Sequence, residues 1–276
     1  MLKTELVVGF DVTEALGITK YDPQVQEEND LTEKKHQTKL HKFLMGIPVY
    51  RKVYLKLNSQ NKGNWPEWVT KTDENRVQNS LKPILNHLNE SWYITEKLDG
   101  QSACYFTHKT KVWGFTKLRF GVCSRNIWLK TKGSNNYWRI AEKYNLKKIL
   151  LDTKREMVIQ GEICGPGVQS NKYKLPELDF YVFNIVDCNG NRYSYTDMRY
   201  FCEEHGLKCV PLVDAAFITK YDNMEPIQIV NSLVELSKGN SLLYARNREG
   251  IVMRLNLNTH VSLKVINPDF LLEHKE

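Results

Sequence analysis

Short apolar runs rich in β-branched and aromatic residues recur along the chain beyond residue 92, the pattern of buried strands. These runs predict strands at 92–97, 101–107, 111–116, 119–124, 156–163, 179–188, 249–255 and 260–266. Several of these are bounded by Gly, Asn or Asp, the residues that turns favour. Three stretches follow helical spacing instead. "NYWRIAEKYNLKKILL" (136–151) brings Trp138, Ile140, Ala141, Tyr144, Leu146 and Ile149 round at near-helical intervals. "TDMRYFCEEHG" (196–206) offers Thr196 as a cap and Gly206 as a stop. "MEPIQIVNSLVELSKG" (224–239) has Pro near its start and Gly at its end. Grouped strands with helices between the groups, and no strand–helix–strand rhythm, predict an α+β fold with antiparallel sheets.

The first part of the chain has a different texture. "YDPQVQEENDLTEKKHQTKLHKF" (21–43) is polar and charged, which predicts a solvated connector or an exposed helix. "VYRKVYLKL" (49–57) predicts one edge strand. "LNSQNKGNWPEWVTKTDENRVQN" (57–79) is rich in turn residues, with Trp65 and Trp68 as isolated apolar anchors. The expected division is a lead-in segment over 1–80 packing on a domain over 81–276.

Composition narrows the class only a little. In 276 residues the apolar share is 41% and the charged share 26%, values of a soluble globular protein. No apolar run approaches the roughly 20 residues that span a bilayer, and no basic-then-apolar leader opens the chain, so no membrane partner is expected. The six cysteines (104, 123, 164, 188, 202 and 209) form no CxxC pair and read as reduced thiols of a cytoplasmic or nuclear, reducing compartment. A net charge of +7 suits nucleic acid or nucleotide phosphates but selects neither.

Chemistry enters with "YITEKLDGQSACYF" (93–106), where Lys97 closes an apolar strand just before an Asp-Gly turn. A lysine inside a buried strand is costly, so it is either at the surface or held there for a purpose. Four further segments bear on the choice. "GVCSRN" (121–126) places Arg125 after a strand, where its fork suits phosphate or ribose oxygens. "VIQGEICGPGVQ" (158–169) ends an apolar strand on the lone acid Glu162. "LDFYVFNIVD" (178–187) puts Phe180, Val182 and Asn184 on one face and Tyr181, Phe183 and Ile185 on the other, ordinary core for most of them. "NREGIVMRLN" (247–256) and "VSLKVINPDF" (261–270) carry Glu249 and Lys264, which fit a cross-strand ion pair equally well.

Taken in order, "KLDG" (97–100), "GEICGPG" (161–167), "FYVFNI" (180–185), "EGIVMR" (249–254) and "SLKVINP" (262–268) resemble the motifs of the covalent nucleotidyltransferases. That superfamily includes ATP-dependent RNA ligases, DNA ligases and mRNA capping enzymes. "EKLDG", "SRN", "GEICGPGVQ" and "FYVFNI" are most similar to nick-sealing RNA ligases. "DVTEALGITKYDP" (11–23) with "WPEWVTKTDENRVQN" (65–79) resembles the lead-in of those that carry an N-terminal OB module. Only ten residues precede the first of these segments, so the OB domain is expected to be absent, by natural economy or by excision.

The resemblance implies a nucleotidyltransferase fold of antiparallel sheets flanked by helices, with the nucleotide in the groove between them. It implies three steps: Lys97 takes AMP from ATP, AMP passes to an RNA 5′-phosphate, and a 3′-OH displaces it. It assigns catalysis to Lys97, Glu249 and Lys264, and nucleotide contacts to Glu96, Leu98, Ser102, Arg125, Glu162, Phe183 and Lys264. Asp99, Glu162 and Glu249 are its candidates for holding Mg²⁺ or Mn²⁺, chiefly through the ion's waters. Glu162 would serve mainly the ribose hydroxyls, Phe183 would stack on adenine, and Lys264 would neutralise the α-phosphate. The partner expected is RNA with 5′-phosphate and 3′-OH ends in a nicked duplex, met by a monomer. A free lysine is neutral only about one part in a thousand at pH 7, so the nucleophile is expected to have its pKa lowered by burial and nearby cations. One departure stands out: the family often has Lys-x-Lys in the last motif, and "VSLKV" offers Ser262 and Lys264. The missing charge would be shared with Lys117, Arg246 or Arg254. A capping guanylyltransferase, a DNA ligase and a non-catalytic RNA-binding module remain the alternatives.

Overall fold

A computed structural model of the chain describes residues 62–273 except 72, 89, 113–114, 131, 218–220 and 222, together with 44 and 46–50. The strands assemble into two sheets. The larger runs, edge to edge, β1 (Lys62–Asn64), β6 (Ile127–Leu129), β5 (Phe115–Cys123), β4 (Gln101–Val112), β7 (Val158–Cys164), β8 (Asp179–Val186) and β9 (Lys208–Cys209). The smaller runs β10 (Leu212–Phe217), β3 (Ser91–Lys97), β11 (Gly250–Leu255), β12 (Ser262–Ile266) and β2 (Asn75–Arg76). All pairings are antiparallel except at the edges, β8 with β9 and β12 with β2. Helices α1 (Lys82–Leu85), α2 (Asn136–Lys143), α3 (Leu146–Asp152), α4 (Tyr195–Glu204), α5 (Pro226–Ser237) and α6 (Pro268–Glu273) complete the α+β fold.

Period-two alternation sets the layers. On the larger sheet Tyr105, Ile159, Phe180 and Val182 pack with Ile140 of α2, Leu150 of α3 and Met198 of α4. On the smaller sheet Trp92, Ile94, Ile251, Met253 and Leu263 pack with Ile229 and Leu233 of α5. Each such side chain contributes about 1.5–3 kcal/mol by leaving water. The opposite rows, Thr95 and Lys97 of β3, Val252 and Arg254 of β11, Ser102 and Cys104 of β4, line one cleft between the sheets. Among the described residues no helix is long and apolar enough to cross a membrane.

Several sequence expectations shift. The separate strand expected at 111–116 does not form. Lys111 and Val112 end β4, Phe115 begins β5, and the two strands make one long hairpin closed by the Val112–Phe115 pair. The helix expected over 136–151 is two, because Asn145 adopts a left-handed conformation (φ 50°) that asparagine tolerates better than most residues. Ser194, not Thr196, caps α4, its hydroxyl accepting from the Asp197 N–H at 3.1 Å. The simple alternation expected along 180–185 breaks at Phe183. Gln160 pairs with Asn184 and the next residue, Gly161, with Val182, so Phe183 is the extra residue of a bulge. Beyond it the faces exchange: Ile185 joins Phe180 and Val182 in the core, and Asn184 bonds Gln160 on the cleft side. Of the edge strand expected at 49–57, Val49 and Tyr50 are helical and the remainder lies outside the described residues. The connector expected at 21–43 lies outside them too.

Asp179 opens β8 with its side chain almost out of solvent, bonded to Lys208 Nζ at 2.5 Å and to the Tyr144 hydroxyl. Burial raises its pKa, but the hydrogen bonds from Lys208 and Tyr144 outweigh that and hold the carboxyl below its ordinary value. A depressed folded pKa gives stability that is present above the unfolded value near 3.9 and is lost as pH falls through the folded one. Asp179→Asn is therefore expected to cost about 1–3 kcal/mol in urea unfolding at pH 7. The gap from wild type should narrow steadily as the titration is repeated below pH 4.

Candidate active site

The "KLDG" turn is where the chain leaves the smaller sheet for the larger one. Lys97 ends β3, and β4 begins at Gln101. Gly100 has no room for a side chain: a Cβ there would run into the Ile163 carbonyl oxygen and lie 2.9 Å from Glu162 Cγ. Its N–H instead donates to Glu162 Oε1 at 3.1 Å. The crossing opens onto a cleft of about 520 Å³.

Lys97 Nζ stands 2.5 Å from Glu249 Oε1. Register explains the meeting: Lys97 pairs with Gly250 at the start of β11, so the residue just before that strand lies beside the lysine. Burial pulls the Lys97 pKa down, but Glu249, with Glu162 and Asp99 behind it, outweighs burial and holds the ammonium above its ordinary value. Against the expectation of a lowered pKa, carboxylates surround the amine, while Lys264 and Arg125 face Asp73. Burial raises the Glu162 carboxyl to about 8, with Lys97 opposing the rise and Glu249 and Asp99 adding to it. Glu249 is also raised, burial again leading.

The other sequence candidates fall into place around this cluster. Ser102 pairs with Glu162 across β4 and β7, and both line the cleft. Phe183 lines it too, half-buried, turned there by the bulge. Arg125 stands at the rim, 3.8 Å from Asp73, and Lys264 bonds the same carboxylate at 2.8 Å. Glu249 and Lys264 thus have separate partners and do not pair with each other. Leu98 is buried against Cys164, Tyr173 and Val210. The Glu96 carboxylate turns to the opposite side of β3, where Oε2 accepts from the Leu242 N–H at 2.8 Å. Asp99 is ion-paired with Lys172, and its N–H donates to the Tyr173 hydroxyl at 2.7 Å.

Residues 62–80 supply much that sequence reasoning did not single out. Lys71, Asp73, Glu74 and Arg76 all border the cleft, as does Trp65. They come from a turn-rich stretch with no periodicity to announce them, and only the two tryptophans gave a signal. Lys172 was likewise missed, in a loop whose Gln169, Ser170, Asn171 and Lys174 all have positive φ. Of the three cations considered for sharing phosphate charge, Arg254 and Arg246 already have partners, and Lys117 is not among the residues that line the cleft. Arg254, fully buried, bonds Glu74 at 2.8 Å and the Phe183 carbonyl. Arg246 bonds the Lys172 carbonyl, and Lys117 sits on the β4–β5 hairpin. On β12 the cleft is lined by Lys264 and Ile266, and Ser262 lies further along the strand.

Among the described residues no three of His, Cys, Asp and Glu converge as a ready-made metal cage. Glu249 Oε2 is nevertheless buried and without a hydrogen-bond partner. A buried carboxylate oxygen left open next to two further acids fits a divalent ion, or a water of its hydration shell.

The family model described as RNA ligase matches residues 90–266. No curated protein matches the chain. Among solved structures, an unliganded mutant of Naegleria gruberi RNA ligase superposes with a TM-score of 0.65 at 28% identity, over 77% of this chain and 60% of that one. A mutant of the same enzyme with AMP and Mn gives the same values. Another, with ATP and Mn, superposes at 0.70 and 27% identity over 99% of this chain and 70% of that one. The chain therefore spans only 60% of the length of the first two.

Removing Arg254 would leave the Glu74 carboxylate buried and unpaired. Arg254→Ala is expected to destabilise the chain by about 3–5 kcal/mol in urea unfolding, and Glu74→Ala added to it should recover part of the loss. Additive single effects would mean that the two side chains do not depend on each other.

Proposed function

The chain belongs to the RNA ligase family, and from that premise we propose that it is an ATP-dependent RNA ligase working through lysyl-AMP. The observation that carries this reading is the short Lys97–Glu249 contact in a cleft also lined by Glu162, Phe183 and Lys264. The ATP and AMP complexes of the Naegleria gruberi enzyme support the choice of nucleotide.

In the first step the Lys97 amine forms a bond to the α-phosphorus of ATP while the bond to pyrophosphate breaks. The amine must first give up the proton that Glu249 helps it to keep. Asp99, Glu162 and Glu249 would hold Mg²⁺ or Mn²⁺, whose positive charge would offset these carboxylates and favour the neutral amine of Lys97. Lys264 and Arg125, released from Asp73, meet the phosphate oxygens as negative charge develops. Phe183 stacks on the base, and Glu162 engages the ribose hydroxyls. AMP then passes to the 5′-phosphate of an RNA strand, forming a new phosphoanhydride as the lysyl bond breaks. A 3′-OH attacks that 5′-phosphate and AMP leaves. The substrate proposed is a nicked RNA duplex with 5′-phosphate and 3′-OH ends, met by a single copy of the chain.

Intact-mass measurement after incubation with ATP and Mg²⁺ is expected to show one added AMP, absent from Lys97→Ala. Parallel incubation with GTP should add nothing. Mass added in the lysine mutant, or a GMP adduct in wild type, would overturn the assignment in the first case and the nucleotide in the second. For the base, Phe183→Ala should raise the KM for ATP roughly tenfold with the fold retained, given about 1–3 kcal/mol per stacked base. An unchanged KM in a folded mutant would return Phe183 to a packing role.

A further inference from the structure

The cleft-facing row of β4 does not stop at the cleft. Ser102 and Cys104 line the cleft, Phe106 follows beneath a group of tryptophans, and His108 and Thr110 carry the same row out along the hairpin. From Ser102 to Thr110 the strand covers about 26 Å at roughly 3.3 Å per residue. Trp68 meets the Phe106 ring edge-on at 5.2 Å while remaining 47% exposed. Trp128 meets both Phe106 and His108 edge-on. Lys130 lies over the Trp128 ring at 5.6 Å. Arg119 pairs with His108 and its Nε donates to the Thr110 hydroxyl, so it shares this face, as does Lys117 opposite Thr110. Phe115, at the hairpin end, is 79% exposed. At the inner end Trp65 and Lys71 belong both to this surface and to the cleft wall, with Lys71 over the Trp65 ring.

The outcome is a ledge of exposed aromatic rings interleaved with cations of one sign, continuous with the mouth of the cleft. The acid Glu156 stands beside this face, where it accepts from the Lys109 N–H and acts on His108. Rings without charge would suit a protein partner. Rings spaced with arginine and lysine suit bases and phosphates, since every base has a π-face and every linkage an anion.

We propose that this ledge is the track along which an RNA strand leaves the active-site cleft, Trp68 and Phe115 supplying stacking platforms and Lys117, Arg119 and Lys130 meeting phosphates. The inference rests on the ligase reading for the kind of strand that enters the cleft.

The test uses the full chain and a fluorescent nicked RNA duplex carrying a 5′-phosphate at the nick, titrated across a salt series. The double variant Arg119→Glu/Lys130→Glu should bind about tenfold more weakly, its plot of log affinity against log salt shallower by about 1–2. Trp68→Ala should bind about tenfold more weakly with the slope unchanged, because stacking releases no counterions. Both variants should take up AMP at the wild-type rate, which also shows that they are folded. Unchanged affinity and slope in the double variant would overturn the ledge while leaving the ligase reading intact. So would unchanged RNA binding accompanied by faster proteolysis within residues 1–61, which would assign the ledge to the chain's own N-terminal part. A wild-type chain that shows the expected variant response on RNA but never takes up AMP would keep the ledge and remove the ligase reading.

Discussion

An ammonium and a carboxylate held 2.5 Å apart in a half-buried cleft is the interaction around which this molecule is organised. Taking both charges from water is expensive, and the pair persists only because strand pairing leaves neither a choice. Lys97 ends β3, Glu249 precedes β11, and the antiparallel register brings the two ends together. A protonated lysine is inert as a nucleophile, so the attack on ATP proposed for Lys97 would have to undo what holds it in place.

The surroundings are arranged to make that exchange possible. The chain crosses from one sheet to the other immediately after Lys97, through a glycine with no space for a Cβ, and so brings Glu162 within reach of the same lysine. Asp99, ion-paired with Lys172, also acts on Lys97. Arg254, sealed between Glu74 and the Phe183 carbonyl, ties residues 73–76 to the bulge that aims Phe183. The wall of the cleft is thus assembled from widely separated stretches of sequence whose only common feature is the cleft.

The α+β class and most strand positions were legible because short runs of β-branched and aromatic residues mark strands. Legibility failed wherever a local feature interrupted the pattern. A bulge at Phe183 exchanged the faces of β8, a left-handed Asn145 cut one helix into two, and a tight reversal after Val112 joined two predicted strands to a third. At the site, Lys97, Glu162, Glu249 and Lys264 were conspicuous as charges in apolar strands. Who pairs with whom was not, because partner choice depends on register between segments more than 150 residues apart. Lys172 and the 71–76 stretch carried no pattern at all, since loop residues are placed by packing and not by periodicity.

Asp73 gives the cleft a character of its own. Its carboxylate already answers Lys264 and stands near Arg125, so these two cleft cations are not bare. On the ligase reading proposed above, an incoming triphosphate would trade places with an anion tethered to the protein, where in an open basic pocket it would expel ions drawn from solution. Nucleotide capture would then be an internal exchange, with little of the entropy that freed counterions provide. Its strength should depend far less on ionic strength than its charge suggests. A long polyanion held along the proposed outer ledge should feel salt keenly. A cell that changes its ionic content would alter the grip on one kind of ligand while leaving the other almost untouched.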